Sequence, residues 1–220
     1  MKREIITTAD GSKTIQIKEW GEQYHSKHGA IQEAYHVFIH SGLDLFKNRE
    51  LNILEIGFGT GLNAMITLLE HEKLGLTIHY TGIEAYPVLP EELVQLNYLE
   101  ALNALAYKDH FHRMHTSKWD EDIEISPTFQ FRKVQKDFKD ITAIQCFDLI
   151  YFDAFGARVQ PELWTVALFQ IMFKALKSKG YLVTYAAKGS VRRAMLSVGF
   201  LVERLPGPPG KREMLRARKP

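Results

Sequence analysis

The sequence predicts an α/β fold in which a mostly parallel sheet is covered by helices on both faces and closed by an antiparallel hairpin. Three observations predict it. From Leu51 onward, short apolar runs alternate with stretches whose apolar residues recur at helical spacing, the pattern of successive strand–helix units. The run Leu149-Ile150-Tyr151-Phe152 is apolar without alternation, as in a strand buried on both faces. The last two strand-like runs are separated only by Pro206-Gly207-Pro208-Pro209-Gly210, too short for a crossover helix, so that pair must be antiparallel.

The elements follow in order. Residues 3–8 and 14–17 are β-prone and flank the turn signal Asp10-Gly11, which predicts a small N-terminal β-hairpin. Apolar residues at Ile31, Ala34, Tyr35, Phe38 and Ile39 predict a helix over 30–43. Together these form an extension, 1–45, to a core at 46–220, the whole chain reading as a single domain. In the core, Asn52–Ile56 is a strand, Gly61–His71 a helix and Thr77–Glu84 a strand. A helix over Glu91–Ala106 begins at Pro90, a residue suited to a first turn. Residues 107–127 are polar and give no assignment. Phe129–Val134 and Phe147–Phe152 are strands, and Pro161–Lys177 is a helix stopped before Gly180. Tyr181–Tyr185 is a strand and Ser190–Ser197 a short helix. Phe200–Leu205 and Glu213–Arg218 complete a seven-stranded sheet.

Composition narrows the function classes. The 220 residues, 45% hydrophobic and 25% charged, suit one soluble α/β domain. No stretch approaches the roughly 20 apolar residues that span a bilayer. The basic start Met1-Lys2-Arg3 lacks the apolar segment of an export signal, so a cytoplasmic protein with no membrane partner is expected. The single cysteine, Cys146, excludes an intrachain disulfide and reads as a core thiol at the edge of an apolar run. Charge is uneven. Residues 180–220 carry nine basic and two acidic side chains, a net +7, whereas residues 1–179 carry 19 and 24, a net −5. Such an end suits a polyanion or is simply a solvated surface, and charge alone leaves both open.

The glycine-rich segment Glu55-Ile56-Gly57-Phe58-Gly59-Thr60-Gly61-Leu62-Asn63 follows a strand and opens a helix, the setting of a cofactor turn. A dinucleotide fingerprint would place Gly or Ala at position 62, where Leu62 stands. The spacing Glu-x-Gly-x-Gly-x-Gly instead resembles the first motif of methyltransferases. An acidic Glu55 beside the turn suits a cationic cofactor and opposes a pyrophosphate. Glu84, ending the next strand, is placed to accept hydrogen bonds from ribose hydroxyls, with either a nicotinamide or an adenosylmethionine cofactor. Asp137 and Phe138 could take an adenine amino group and ring, or Asp137 could be a simple cap. Asp153, at the C-terminal end of a buried strand, should face the cleft where open α/β sheets bind ligands.

Glu55–Asn63, the block Phe152-Asp153-Ala154-Phe155…Pro161-Glu162-Leu163-Trp164 and the ending Gly210-Lys211-Arg212-Glu213-Met214-Leu215 together resemble one family. It is the methyltransferase domain of the tRNA 5-methylaminomethyl-2-thiouridine biosynthesis protein, and Tyr24-His25-Ser26…Glu33…Tyr35 is similar to its entrance region. The resemblance runs from about Tyr24 to Leu215. It implies a Rossmann-like class I S-adenosylmethionine-dependent methyltransferase that methylates the amine of 5-aminomethyl-(2-thio)uridine at a tRNA wobble position. Bifunctional members carry a second, FAD-dependent domain. Because this chain ends at Pro220, the expectation is a stand-alone methyltransferase linked to a separate enzyme that makes the aminomethyl precursor. Asp153 would hold the substrate ammonium and accept its proton. Tyr24, His25, Tyr35 and Phe155 are candidates for the walls of a nucleobase pocket or for packing residues. Lys188, Arg192, Arg193, Lys211 and Arg212 are candidates for tRNA phosphate contacts. No metal is expected, since the nine histidines show no ligand spacing and His110, His112 and His115 read as surface residues. Three rivals remain: an aminopropyltransferase of the polyamine type, a small-molecule methyltransferase and a non-catalytic tRNA-binding module. The first should carry further acidic residues beside Asp153, and Ala154-Phe155-Gly156-Ala157 has none.

Overall fold

The structure, a computed structural model, describes residues 2–220. At its N-terminus β1 (Arg3–Thr7) and β2 (Lys13–Ile17) form the expected antiparallel hairpin, to which a two-residue strand, β3 (Glu22–Gln23), adds a third member. The helix that follows starts as α1 (Ala30–Ala34) and widens into π-helical turns over Tyr35–His40.

An eight-stranded sheet forms the centre. Its strands are β4 (Glu50–Ile56), β5 (Thr77–Glu84), β6 (Asp122–Ser126), β7 (Phe129–Gln135), β8 (Phe147–Phe152), β9 (Leu176–Thr184), β10 (Leu201–Pro206) and β11 (Glu213–Arg218). Their order is β10-β11-β9-β8-β4-β5-β7-β6. β7, β5, β4, β8 and β9 run parallel, while β11 lies antiparallel to β9 and β10 antiparallel to β11. The seven expected strands are all present. The eighth, β6, is an antiparallel edge strand inside the polar segment that gave no assignment. Its alternating Asp122-Ile123-Glu124-Ile125 sits on the rim with one face wet, which is why bulk polarity hid it.

Alternation along the strands divides the core. Ile53, Leu149 and Tyr151 point to the face covered by α1, α2 (Leu62–Glu70) and α5 (Lys108–Thr116). Leu54, Ile56, Ile150 and Phe152 point to the face covered by α6 (Val166–Ala175) and α7 (Gly189–Ser197). The chain runs outward from β4 through β5 to β7, then returns to β8 on the other side of β4. The sheet's switch point, where a cleft opens beyond the strand C-termini, therefore lies between β4 and β8.

Two helix expectations differ from the structure. The helix over Glu91–Ala106 is broken into α3 (Pro90–Leu93) and α4 (Tyr98–Ala101). The break is at Asn97, whose side chain accepts from Lys13 N–H (2.7 Å) and donates to Gly11 O (3.0 Å), tying this segment to the β1–β2 turn. The helix over Pro161–Lys177 is a 3₁₀ turn, Pro161–Trp164, followed by α6, whose N-terminus is capped by Thr165 Oγ1. It ends at Ala175, and β9 starts five residues before the predicted Tyr181. Cys146 is exposed rather than a core thiol. It lies in the turn ahead of β8, where Gln145 has φ 51° and Ile144 is 68% exposed, so the apolar run begins only after it.

Candidate active site

Beyond the C-terminal ends of β4, β5 and β8 the protein opens into two adjoining cavities of about 400 and 650 Å³ that share Glu22, Tyr24, His25, Gly156 and Tyr185 in their walls. The sheet supplies the floor and the N-terminal extension the roof. Two clasps hold the roof down. Arg158 donates to Glu22 Oε1 through Nε (3.0 Å) and Nη2 (2.8 Å) and to Trp20 O (2.7 Å). Arg3 pairs with Glu92 at 2.9 Å.

The inner cavity is built on the glycine turn. Gly57 has φ 89°, and a Cβ there would stand 2.7 Å from Asp153 O, so two strand ends meet at a spacing that only glycine permits. Gly59, at φ 50°, has the Tyr24 ring over it, where a Cβ would approach to 3.1 Å. Both line the cavity. Gly61 does not: it starts α2 at φ 74° and packs beneath the turn on Phe58 and His115. Glu84 lines the cavity and holds the turn, accepting from Gly59 N–H (3.0 Å) and Tyr86 N–H (2.9 Å). Lone pairs remain on both oxygens for a ligand hydroxyl.

Glu55 and Asn63 lie behind the wall. Glu55 is fully buried and bonded to Tyr80 OH (2.8 Å) and Asn63 Nδ2 (2.8 Å), so it does not reach the cavity as its place beside the turn suggested. Burial, with Asp153 and Glu84 nearby, pushes its pKa well up. Asn63 Nδ2 also donates to Asp153 Oδ2 at 2.8 Å, fixing one carboxyl oxygen of Asp153, while its own Oδ1 is buried without a partner. Asp137 caps a 3₁₀ turn, accepting from Lys139 N–H at 3.1 Å. This hydrogen bond and the Lys139 ammonium hold its pKa down. Asp137 still edges the inner cavity, with the buried Phe138 beside it.

Asp153 sits deep in the cleft with part of its surface open. Burial, and then the Glu33 carboxylate, push its pKa from 3.8 up to about 7, against the Asn63 hydrogen bond and the Lys211 ammonium. The turn that carries it is clamped: Asp153 N–H donates to Ile56 O (2.9 Å), Tyr185 OH to Ala154 O (2.7 Å) and Trp164 Nε1 to Phe155 O (2.8 Å). Phe155 meets Tyr24 edge-on with ring centroids 5.0 Å apart, and Trp20 likewise at 5.4 Å. His25 is buried between Thr14 Oγ1 (3.1 Å) and Tyr98 OH (3.4 Å). Burial pushes its pKa down to about 4, so the ring is neutral at pH 7.

The outer cavity mixes charges. Glu33 accepts from Ser26 N–H (2.8 Å) and pairs with Lys211, whose Nζ lies 3.8 Å from the centroid of the Tyr185 ring. Lys211 is thus engaged inside the cleft rather than free for phosphate. Lys27, Lys188 and Arg212 are exposed on the rim, while Arg192 lies outside both linings. Tyr35 is also outside, its hydroxyl donating to Glu70 (2.8 Å) and its ring near His40. The structure therefore gathers Gly57, Gly59, Glu84, Asp137, Phe138, Asp153, Phe155, Tyr24 and His25 around one space, with Lys188, Lys211 and Arg212 in the outer cavity. It adds Glu22, Lys27 and Arg158, which residue pattern did not select, and Glu33, which entered only as part of the entrance segment and without a role. Glu33 is a second acid near Asp153 that the local sequence 154–157 concealed. His110 and His115 are not surface residues, since Nδ1 of the first and Nε2 of the second are buried, whereas His112 is exposed. Among the described residues no three His, Cys, Asp or Glu side chains are gathered as a metal site would need.

Comparison with known proteins bears on the family and the fold. A family model described as S-adenosyl-L-methionine-dependent methyltransferase matches residues 97–220. The tRNA 5-methylaminomethyl-2-thiouridine biosynthesis bifunctional protein of Aromatoleum aromaticum is 32% identical over 216 residues, 90% of this chain and 33% of that protein. The protein of the same name from Hydrogenovibrio crunogenus is 30% identical over 97% of this chain and 33% of its own length. The chain thus spans about a third of the curated relatives it matches. The crystal structure of MnmC2 from Aquifex aeolicus superposes with a TM-score of 0.76 at 29% identity, covering 98% of this chain and 70% of that one. Spermidine synthase from Thermotoga maritima shares the fold at 15% identity, with a TM-score of 0.59 over 99% of this chain and 68% of that one.

Proposed function

The chain belongs to the S-adenosyl-L-methionine-dependent methyltransferase family, and from that premise we propose that it methylates the primary amine of 5-aminomethyl-(2-thio)uridine at the wobble position of tRNA, giving the 5-methylaminomethyl nucleoside. One observation carries the reading. Asp153, with proton affinity raised to about 7, stands beside the wall between an acidic inner cavity at the glycine turn and an outer cavity with aromatic walls and a basic rim.

The inner cavity fits the cofactor by its donor set. Gly57 and Gly59 present main chain without side chains, Glu84 has lone pairs for ribose hydroxyls, and Phe138 offers an apolar wall for adenine with Asp137 at its edge. When bound, S-adenosyl-L-methionine supplies a methyl group already activated on a sulfonium. The acidic lining favours that charge and would repel a pyrophosphate. The protein's own work is on the acceptor. Asp153 holds the ammonium, aligned by Asn63, and takes its proton to leave a neutral amine, a task suited to a group titrating near the working pH. Tyr24, His25 and Phe155 flank a flat ring drawn out of the anticodon stack, and Lys27, Lys188 and Arg212 meet phosphates.

We read residues 1–220 as one methyltransferase domain of a cytoplasmic tRNA-modifying system, with 1–45 supplying the roof. Its acceptor amine would come from a separate activity that makes the aminomethyl group. Incubation with radiolabelled cofactor and tRNA from a strain blocked at the aminomethyl stage tests the assignment. Methyl label in the 5-methylaminomethyl nucleoside is the expected result. Cofactor binding with no labelled nucleoside would remove the tRNA substrate and leave the family intact.

A further inference from the structure

We propose that Glu33 and Lys211 form a positioning pair that leaves the cleft one positive charge short where its two cavities meet, the place that the ammonium of an acceptor amine takes beside Asp153. The ammonium half of this inference rests on the acceptor assigned above.

The argument is one of charge and placement. Two carboxyl groups, Glu33 from α1 and Asp153 from the end of β8, are joined to one fixed cation, Lys211 from the β10–β11 turn: Glu33 pairs with it directly, and Tyr185, whose ring centroid lies 3.8 Å from Lys211 Nζ, donates its hydroxyl to Ala154 O next to Asp153 at 2.7 Å. Lys211 is seated as a bound alkylammonium would be, on a carboxylate and over an aromatic face, Tyr185. The other groups facing Asp153 bring no cation. Asn63 on α2 donates a hydrogen bond, Glu55 on β4 adds acidity, and Tyr80, Tyr98 and Tyr185 are phenols raised well out of the neutral range by burial. His25 is held neutral. In the free protein the missing positive charge is made good by a proton on Asp153, whose affinity is raised first by burial and then by the Glu33 carboxylate. An incoming ammonium displaces that proton to solvent and then gives one of its own to Asp153; the lone pair so freed would form the N–C bond as the methyl donor's C–S bond breaks and the neutral thioether leaves.

Glu33 and Lys211 therefore act on Asp153 with opposite sign, which generic damage to the cleft does not do. In the intact chain, the Asp153 carboxyl is followed by carbon NMR across pH in wild type, Glu33→Gln, Lys211→Met and Lys211→Arg. Gln keeps an acceptor for Ser26 N–H, and Met keeps the contact over Tyr185. The titration should fall by about 1 pH unit in Glu33→Gln, rise by about 1 in Lys211→Met and stay near wild type in Lys211→Arg. Shifts of the same sign in the first two, or none, overturn the pair. The ammonium place is read by calorimetry with 5-aminomethyluridine and 5-hydroxymethyluridine. Preference for the amine should be about tenfold and be lost in Glu33→Gln. Equal affinity in wild type, or binding of neither, removes the ammonium place. Opposite titration shifts without labelled tRNA would retain the pair and discard the acceptor; labelled tRNA without them would do the reverse.

Discussion

At the scale of single residues, Asp153 combines an open face toward the cleft with one oxygen fixed by Asn63. Because its folded pKa is raised, it is protonated below about 7 and ionised above. Turnover on an ammonium acceptor should therefore rise with pH through a limb near 7. Asp153→Ala should lower turnover by about 10²–10⁴-fold while cofactor affinity by calorimetry changes little; equal losses in both would count against the assignment. Gly57 is the structural counterpart. Gly57→Ala adds a methyl group 2.7 Å from Asp153 O at a φ of 89°. It should cost about 1–3 kcal/mol in urea unfolding, and an unchanged midpoint would show that the turn relaxes freely. Sequence located both residues because each sits at a strand end, where local pattern fixes position. Glu55 and Tyr35 misled because residue type tells nothing of depth. One is sealed behind the turn and the other bonds to Glu70 on the outer side of α2.

At the scale of elements, strands buried on both faces were legible and interrupted helices were not. β4, β5 and β8 carry apolar runs bounded by turn residues, so their limits follow from composition. The break at Asn97 is set by the β1–β2 turn, more than 80 residues away, and no local propensity encodes it. α5 was hidden because its outer face is polar, yet it brings His115 against Gly61 and Phe58. Burial, and then the Lys133 ammonium, hold the His115 pKa down to about 3. A histidine lowered in the folded state costs nothing above its unfolded value of about 6.5 and loses stability progressively as pH falls from there toward 3. His115→Leu should therefore gain on wild type by about 1–2 kcal/mol between pH 7 and pH 5 in chemical unfolding. A constant difference across that range would mean the ring is hydrated in the native state.

At the scale of the whole molecule, the cleft is assembled from parts remote in sequence: roof from 1–45, floor from β4, β5 and β8, and outer rim from α7 and the β10–β11 turn. The excess charge of 180–220 resolves into distinct fates. Lys211 turns inward to Glu33, Arg216 pairs with Glu203, and Lys188 and Arg212 remain on the rim. That division depends on contacts between distant segments, so net charge alone could not forecast it. If the rim meets phosphates, Lys188→Ala and Arg212→Ala should each weaken tRNA binding and reduce the slope of log K against log salt by about 1, leaving cofactor affinity unaltered. Slopes equal to wild type would place the tRNA elsewhere. Among the described residues no helix is long and apolar enough to cross a membrane.

Cys146 lies exposed just ahead of β8, while Asp153 follows the same strand, so the 6-residue strand separates them by roughly 20 Å. With no second cysteine in the sequence, a maleimide dye would attach to the unmodified chain at one known point, at the pole away from the cleft. Fluorescence anisotropy from that dye would report the arrival of a large polyanion as slowed tumbling, without a substitution anywhere near the chemistry.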